Sequence, residues 1–157
     1  MKNVLFAAAL IALSATAAQA VPITYTAVLS GGNEVPVVVT GSAGTAIVTW
    51  NTATKTGTYE VKVYNMPVAT TQGHIHVGAI GAGGPVVVNF VIPGVGAISN
   101  DYGFSGSFGC TEVVPRAPQG INSCEDFEQA LLLNNTYANV HSTNNPGGEI
   151  RGQLIKQ

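Results

Sequence analysis

The chain has 157 residues, of which six are lysine or arginine and eight are aspartate or glutamate, so its formal net charge is −2. Charged residues make up 9% of the chain, against roughly a quarter in an average soluble protein. With so few basic residues, and none of them clustered, the chain lacks the electrostatic footprint needed to bind nucleic acid or anionic lipid.

The first twenty residues have the pattern of a secretory signal peptide. Lys2 supplies the positive start, residues 4–13 form an apolar run without charge, and Ala18-Gln19-Ala20 is a small-x-small cleavage site. The apolar run is shorter than the about 20 residues that a transmembrane helix needs. We therefore expect a mature chain of residues 21–157 that forms one domain, has no membrane-spanning segment and carries a net charge of −3.

The remaining sequence is rich in Gly, Val and Thr and reads as a β protein with many turns. Residues 58–64 show the clearest period-two alternation, with Tyr59, Val61 and Val63 on one face. Further strands are predicted at 23–29, 42–50, 73–77, 85–92, 102–108, 136–141 and 149–155. Residues 34–40 are predicted to be extended, with Pro36 in an edge or irregular position. Short strands at this spacing predict an antiparallel sandwich or barrel.

One helix is predicted, over residues 125–133. Ser123 is suited to cap its N-terminus, and three acidic residues in or near the first turn favour the helix dipole. The side chains expected to face the core are Phe127, Ala130, Leu131 and, at the end of the helix, Leu133.

The two cysteines, Cys110 and Cys124, lie in the predicted exported part of the chain, where a disulfide is the expected state. It would close a loop of about 15 residues and stabilise the fold by about 3 kcal/mol in the chain-entropy model. A redox pair or a metal thiolate site is the alternative, although the spacing is not C-x-x-C.

Three blocks of sequence resemble the CHRD domain of the chordin family. The opening block is LSGGNEVP at 29–36, the central block is HIHVG at 74–78 with GPVVV at 84–88, and the closing block is YANVH at 137–141 with PGGEIRGQL at 146–154. The blocks occur in this order and cover nearly all of the chain after residue 20. The resemblance implies an immunoglobulin-like, Greek-key β-sandwich.

The same resemblance implies a place outside the cytoplasm. In chordin, copies of the domain belong to an extracellular inhibitor of growth-factor signalling, and in microbes the domain occurs in small exported proteins. The segment 110–124 departs from the family pattern as an elongated loop before the helix. We therefore expect a secreted or periplasmic binding or structural module whose partner is an extracellular or envelope macromolecule.

A weaker similarity, in motif order only, is to the copper half of copper/zinc superoxide dismutases. It implies that His74, His76 and His141 are copper ligands and that Arg151 guides an anion. The chain has only three histidines, so the bridging histidine and the zinc site of that family are missing. A two-metal dismutase is therefore excluded, and a mononuclear site with a possible redox role is the alternative to a simple binding module.

The histidines also suggest this site from their spacing alone. His74 and His76 project from one face of a predicted strand, with Cβ atoms about 7 Å apart. If the strand that contains His141 is a neighbour, three imidazoles converge, and imidazole suits copper and zinc. Alternatively, the histidines hydrogen-bond backbone groups of the glycine-rich loop 78–84, bind another ligand, or titrate near neutral pH.

Glu34, Glu149 and Arg151 are the other charged residues singled out in these blocks. The simplest interpretation is an ion pair of Arg151 with Glu34 or Glu149, since arginine favours bidentate pairing with carboxylates. Anion guidance by Arg151 is the alternative. No set of catalytic residues stands out, and the glycine run 78–84 lacks the Gly-Lys-Ser/Thr ending of a phosphate loop.

Overall fold

The computed structural model describes residues 21–93 and 101–157. The predicted signal peptide, residues 1–20, lies outside the described residues and stays a prediction. Within the described ranges the strands are β1 (Ile23–Ser30), β2 (Ala43–Asn51), β3 (Thr56–Tyr64), β4 (Thr70–Val77), β5 (Val86–Asn89), β6 (Tyr102–Gly109), β7 (Thr136–Ser142), β8 (Ile150–Gln153) and β9 (Ile155–Lys156). One α-helix, α1 (Cys124–Leu132), and three 3-10 turns at Gly31–Asn33, Cys110–Glu112 and Ala117–Gln119 complete this part of the chain.

Hydrogen bonds join these strands into one antiparallel sheet in the order β5-β4-β7-β8-β1-β2-β3-β6, with β9 paired to β1. The sheet curls until its two ends approach. Phe90, which follows β5, packs on Tyr59 of β3 with ring centroids 4.3 Å apart and on Phe104 of β6 at 6.0 Å. The Val91 backbone N–H donates to the Tyr59 hydroxyl at 2.8 Å. The result is a nearly closed, barrel-like sheet.

The prediction of an antiparallel all-β fold with one short helix is confirmed. The strands form a single curled sheet, so an immunoglobulin-like division into two sheets stays a prediction from the resemblance. Alternating burial along the strands forms the core. In β3 every second residue is buried, as the sequence predicts for Tyr59, Val61 and Val63. No helix in the described residues combines the length and the apolar character needed to cross a membrane.

The helix α1 packs against one part of this core. Trp50 of β2 is fully buried, stacks on Phe108 and meets Phe127 of α1 edge to face. Its indole N–H donates to Glu128 at 2.7 Å. Ser123 caps the helix by accepting from the Asp126 backbone N–H at 3.2 Å. The predicted cap and helix are therefore confirmed.

Two local predictions, for Leu133 and for the strand 149–155, differ from the structure. Leu133 is 75% exposed, because the helix ends at Leu132 and Leu133 is its C-cap. Residues 34–40, predicted to be extended, form no strand of the sheet and connect the first 3-10 turn to β2. The predicted strand 149–155 is divided into β8, which pairs with β7, and β9, which pairs with β1; the buried Leu154 lies between them and donates its N–H to Thr136 O at 2.9 Å.

The predicted disulfide between Cys110 and Cys124 is present. It closes the loop between β6 and α1, and this loop contacts the opposite end of the sheet. The Val114 N–H donates to Val87 O at 2.8 Å, and Arg116 Nε donates to Val86 O at 2.7 Å. The loop after β6 thus lies along the free edge of β5.

Replacing both cysteines by serine is expected to lower the free energy of unfolding by about 3 kcal/mol, because the unfolded chain regains the freedom of a loop of about 15 residues. Urea denaturation of the wild type and the C110S/C124S variant measures the difference. Reductant should lower the wild-type midpoint to that of the variant and leave the variant unchanged. Equal midpoints of oxidised wild type and variant would contradict the prediction.

Candidate metal centre

The strands β4, β7 and β8 bury their apolar residues on one face and carry polar side chains on the other. The inward residues are Ile75, Val77, Ala138, Val140 and Ile150. The opposite face, which we term the polar face, carries His74, His76, Tyr137, Asn139, His141, Arg151 and Gln153. The register pairs His74 with Asn139, His76 with Tyr137, and Asn139 with Arg151.

This polar face is nevertheless shielded from solvent. The relative exposures of His74, His76 and His141 are 8%, 9% and 6%. Loops cover the face with backbone carbonyl groups, which accept hydrogen bonds from the side chains beneath them. The site is therefore a buried polar layer between the sheet and its loops.

The three histidines meet at one point of this layer. One ring nitrogen from each of His74, His76 and His141 lies within 4.8 Å of the other two. His74 Nδ1 and His141 Nε2 are 3.0 Å apart. The proximity follows from the pairing of β4 with β7, in which Gln72 lies opposite His141 and His74 opposite Asn139. The structure thus brings together the three residues that the sequence nominates.

Backbone carbonyls fix the orientation of two of the rings. His76 Nδ1 lies 2.8 Å from Gly84 O, and His141 Nδ1 lies 2.8 Å from Pro146 O. Because a carbonyl only accepts, Nδ1 carries the proton in both rings and Nε2 carries the lone pair. His76 Nε2 is buried and finds no hydrogen-bond partner among the described residues. Histidines that bind metals are commonly oriented by such hydrogen bonds on the second nitrogen.

The surroundings keep the three imidazoles uncharged at neutral pH. Burial lowers the pKa of His74 to about 4, with further lowering by His141 and His76. Burial also lowers the pKa of His76 to about 4, although its hydrogen bond to Gly84 opposes the shift. The pKa of His141 is lowered by burial against the opposing bond to Pro146. Neutral imidazole is the form that binds metal ions.

Tyr137 holds the loop that orients His76. Its hydroxyl donates to Gly84 O at 3.1 Å and accepts from the Gly84 N–H at 3.0 Å, and its ring stacks on His76 with centroids 4.8 Å apart. A Cβ on Gly84 would lie 1.7 Å from Val77 O, so only glycine fits there. Sequence reasoning missed Tyr137, although its alternation with Asn139 and His141 places it on the same face.

Arg151 does not form the predicted ion pair. Its Nε donates to Asn33 O at 2.5 Å, its Nη1 donates to Ala82 O at 3.1 Å, and its guanidinium carbon lies 4.6 Å from the centre of the Tyr137 ring. In residues 21–93 and 101–157, ion pairs join Lys55 to Glu128 and Lys62 to Glu60, and none involves Arg151. The pairing with Glu34 or Glu149 is absent because loop carbonyls and other side chains occupy these groups.

Glu149 is fully buried and accepts four side-chain hydrogen bonds. The donors are Thr40 at 2.5 Å, Ser42 at 3.0 Å, Ser142 at 2.7 Å and Asn145 at 2.5 Å. Burial alone would raise the pKa of Glu149, but these hydrogen bonds outweigh it and hold the pKa below its usual range. The carboxylate thus anchors the segment before β2 and the turn after β7 to each other.

Glu34 shows the opposite shift. Its carboxyl accepts from Asn139 Nδ2 at 2.9 Å, and its side chain is buried. Burial raises the pKa of Glu34 to about 7, although the charge of Arg151 and the Asn139 hydrogen bond lower it; the charge of Glu149 adds to the rise. Glu34 therefore adjoins the polar face as a carboxyl group that titrates near neutral pH.

Glu149→Gln is expected to reduce the free energy of unfolding at pH 7 by about 2–3 kcal/mol, because the amide NH₂ faces donors and a charged acceptor is lost. The folded-state pKa of Glu149 is depressed, so its contribution is present above the usual carboxyl pKa and is lost as pH falls below it. Chemical denaturation at pH 7 and pH 3 should show the difference shrinking in acid. Glu60→Gln, at an exposed site, is the matched control and should change little.

Glu34→Gln keeps an acceptor for Asn139 but removes the ionisation. Because the folded-state pKa of Glu34 is raised to about 7, wild-type stability from this group is greatest below the usual carboxyl pKa and declines as pH rises through 7. The variant should therefore gain stability relative to the wild type between pH 5 and pH 8. A difference in unfolding free energy that stays constant over this range would refute the assignment.

Comparison with known proteins agrees with the sequence blocks. The profile of the CHRD domain matches residues 25–154, which include the whole polar face and its loops. No curated protein and no solved structure matches the chain at a significant level. Since the match covers far more than half of the sequence, the chain belongs to the CHRD domain family.

Proposed function

We propose that this CHRD-domain chain is an exported binding module that holds one copper or zinc ion through His74, His76 and His141. The observation that carries the proposal is the convergence of three neutral imidazoles in a buried layer, each with a ring nitrogen within 4.8 Å of the other two. Atoms so placed lie within about 2.8 Å of one point, and small side-chain rotations would bring them to the about 2.0 Å of a zinc–nitrogen bond.

The hydrogen bonds of the three histidines favour a metal site over a purely structural role. Without an ion, His74 Nδ1 must donate to His141 Nε2, and His76 Nε2 is then left as a buried acceptor without a partner. Leaving such a group unsatisfied costs about 1–3 kcal/mol. One cation would bind one ring nitrogen of each histidine and satisfy His76 Nε2.

The donor set favours copper or zinc among the common metals, since imidazole suits both. Cys110 and Cys124 are joined in the disulfide, so neither offers a thiolate. Three protein ligands leave a position for water or a small ligand. A redox role would follow only with copper, and the present donor set supports either metal.

Export is the second part of the proposal. It is supported by the signal-peptide pattern of residues 1–20, by membership of the CHRD family and by the disulfide, which persists in oxidising compartments. Secretion and delivery to the periplasm are equally compatible with these features. The intact mass of the exported product, matching a chain that begins at Val21, is the direct check.

A macromolecular partner in the envelope or outside the cell is the second candidate function. A cavity of about 410 Å³ lies beside Arg151 and is rimmed by Val35, Val37 and Ile80, which are exposed apolar side chains. Capture of an envelope partner by the wild type but not by a V37E/I80E variant would support this role. Leu133→Glu, at an exposed apolar residue outside the cavity, is the control.

Isothermal titration of the metal-free, disulfide-bonded domain with Cu²⁺ and with Zn²⁺ tests the metal site. We expect one ion per chain with a submicromolar dissociation constant for at least one of the two metals. Replacing His76 by alanine should weaken binding at least about 100-fold, because the loss of a ligand exceeds the 10–100-fold effect of an outer-shell change. Glu60→Ala is a control for adventitious binding to an exposed carboxylate.

Two results would contradict the metal site. One is the absence of stoichiometric binding to the folded wild type. The other is binding that persists at full affinity in the variant with all three histidines replaced by alanine, which would place the ion elsewhere.

A further inference from the structure

Asn139 occupies the centre of the polar face. It lies directly opposite His74 across the β4–β7 pairing, two residues before His141 on β7, and diagonally to His76, whose direct partner is Tyr137. Side chains directly opposite on paired strands have Cβ atoms about 4.5–5.5 Å apart, and diagonal neighbours about 7–8 Å. Asn139 therefore borders all three histidines.

The amide of Asn139 has a defined orientation. Its Nδ2 donates to Glu34 Oε1 at 2.9 Å, which leaves Oδ1 as the free end. Oδ1 is buried, and the described part of the chain provides no donor to it. Buried amide oxygens almost always accept a hydrogen bond, so a donor from outside the protein is expected.

The neighbouring donors are already committed. His76 and His141 direct their Nδ1 protons to Gly84 O and Pro146 O, and Arg151 donates to Asn33 O and Ala82 O. None of these groups donates to Oδ1, and a small molecule that reaches the layer would satisfy it. A three-histidine metal site has such a molecule, since its open position takes water.

We propose that Asn139 positions the non-protein ligand of the metal site by accepting a hydrogen bond from it through Oδ1. The inference rests on the proposed metal site and specifies which small ligands that site would bind. An acceptor at this place favours ligands that carry a proton, such as water or hydroxide. It disfavours anions without one, such as azide, whose lone pairs would face the amide oxygen.

The test uses the Cu²⁺-loaded domain and inorganic azide, with copper content measured first. Asn139→Leu removes the acceptor and should bind azide at least tenfold more tightly than the wild type, as followed by the azide-to-copper absorption band. Glu60→Gln changes an exposed carboxylate on β3, outside the polar face, so its azide affinity should match that of the wild type. Equal azide affinities of loaded wild type and Asn139→Leu would overturn the proposal.

A measurement on the wild type keeps the test independent of variant folding. Pulsed electron paramagnetic resonance in D₂O should detect exchangeable deuterons of a water molecule bound to Cu²⁺. Their absence from the loaded wild type would overturn the role of Asn139 while leaving the metal site intact. Failure of the wild type to take up any metal would instead overturn the proposed function itself.

Discussion

The register between β4 and β7 is the constraint on which the candidate site depends. It sets His74 against Asn139 and places His141 one step along the same face, so the three rings share one small volume. In a strand, a shift of one residue moves every side chain to the other face. Such a shift would send the histidines into the apolar core and expose Ile75 and Val77, so the core that fixes the register also assembles the site.

Backbone carbonyls, rather than charged side chains, organise the polar layer. Gly84 and Pro146 orient two histidines, while Asn33 and Ala82 hold Arg151. This explains how a chain with 9% charged residues can bury a polar site without a network of ion pairs. The glycine-rich loop 78–84 allows its backbone to approach the sheet closely enough to accept hydrogen bonds from His76 and Arg151.

Local patterns predicted much of this structure. Alternation located β3, the Ser123 cap located α1, and the i, i+2 spacing put His74 and His76 on one face. Each of these features depends on neighbours within a few residues. The convergence with His141 was expected only on the condition that two distant segments pair, since pairing between segments about 65 residues apart leaves no local signal.

The incorrect and missing predictions mostly concern contacts between segments that are distant in the sequence. The sequence predicts an ion pair of Arg151 with Glu34 or Glu149, but carbonyls from two remote loops bind the guanidinium, and hydroxyl and amide groups from separate segments surround the Glu149 carboxylate. Asn139 and Tyr137 are not predicted as site residues, because their roles depend on partners across the sheet. Leu133 was misplaced because the helix ends one residue earlier than its apolar pattern suggests.

The loop that the disulfide closes affects how one edge of the sheet can interact with other molecules. An open sheet leaves a row of unpaired backbone groups at each end, and such rows recruit strands from other molecules. Here the segment around Val114 and Arg116 occupies backbone acceptors of β5, and the cystine tethers the loop that carries it. The loop thus protects this edge of the sheet against strand addition by other molecules.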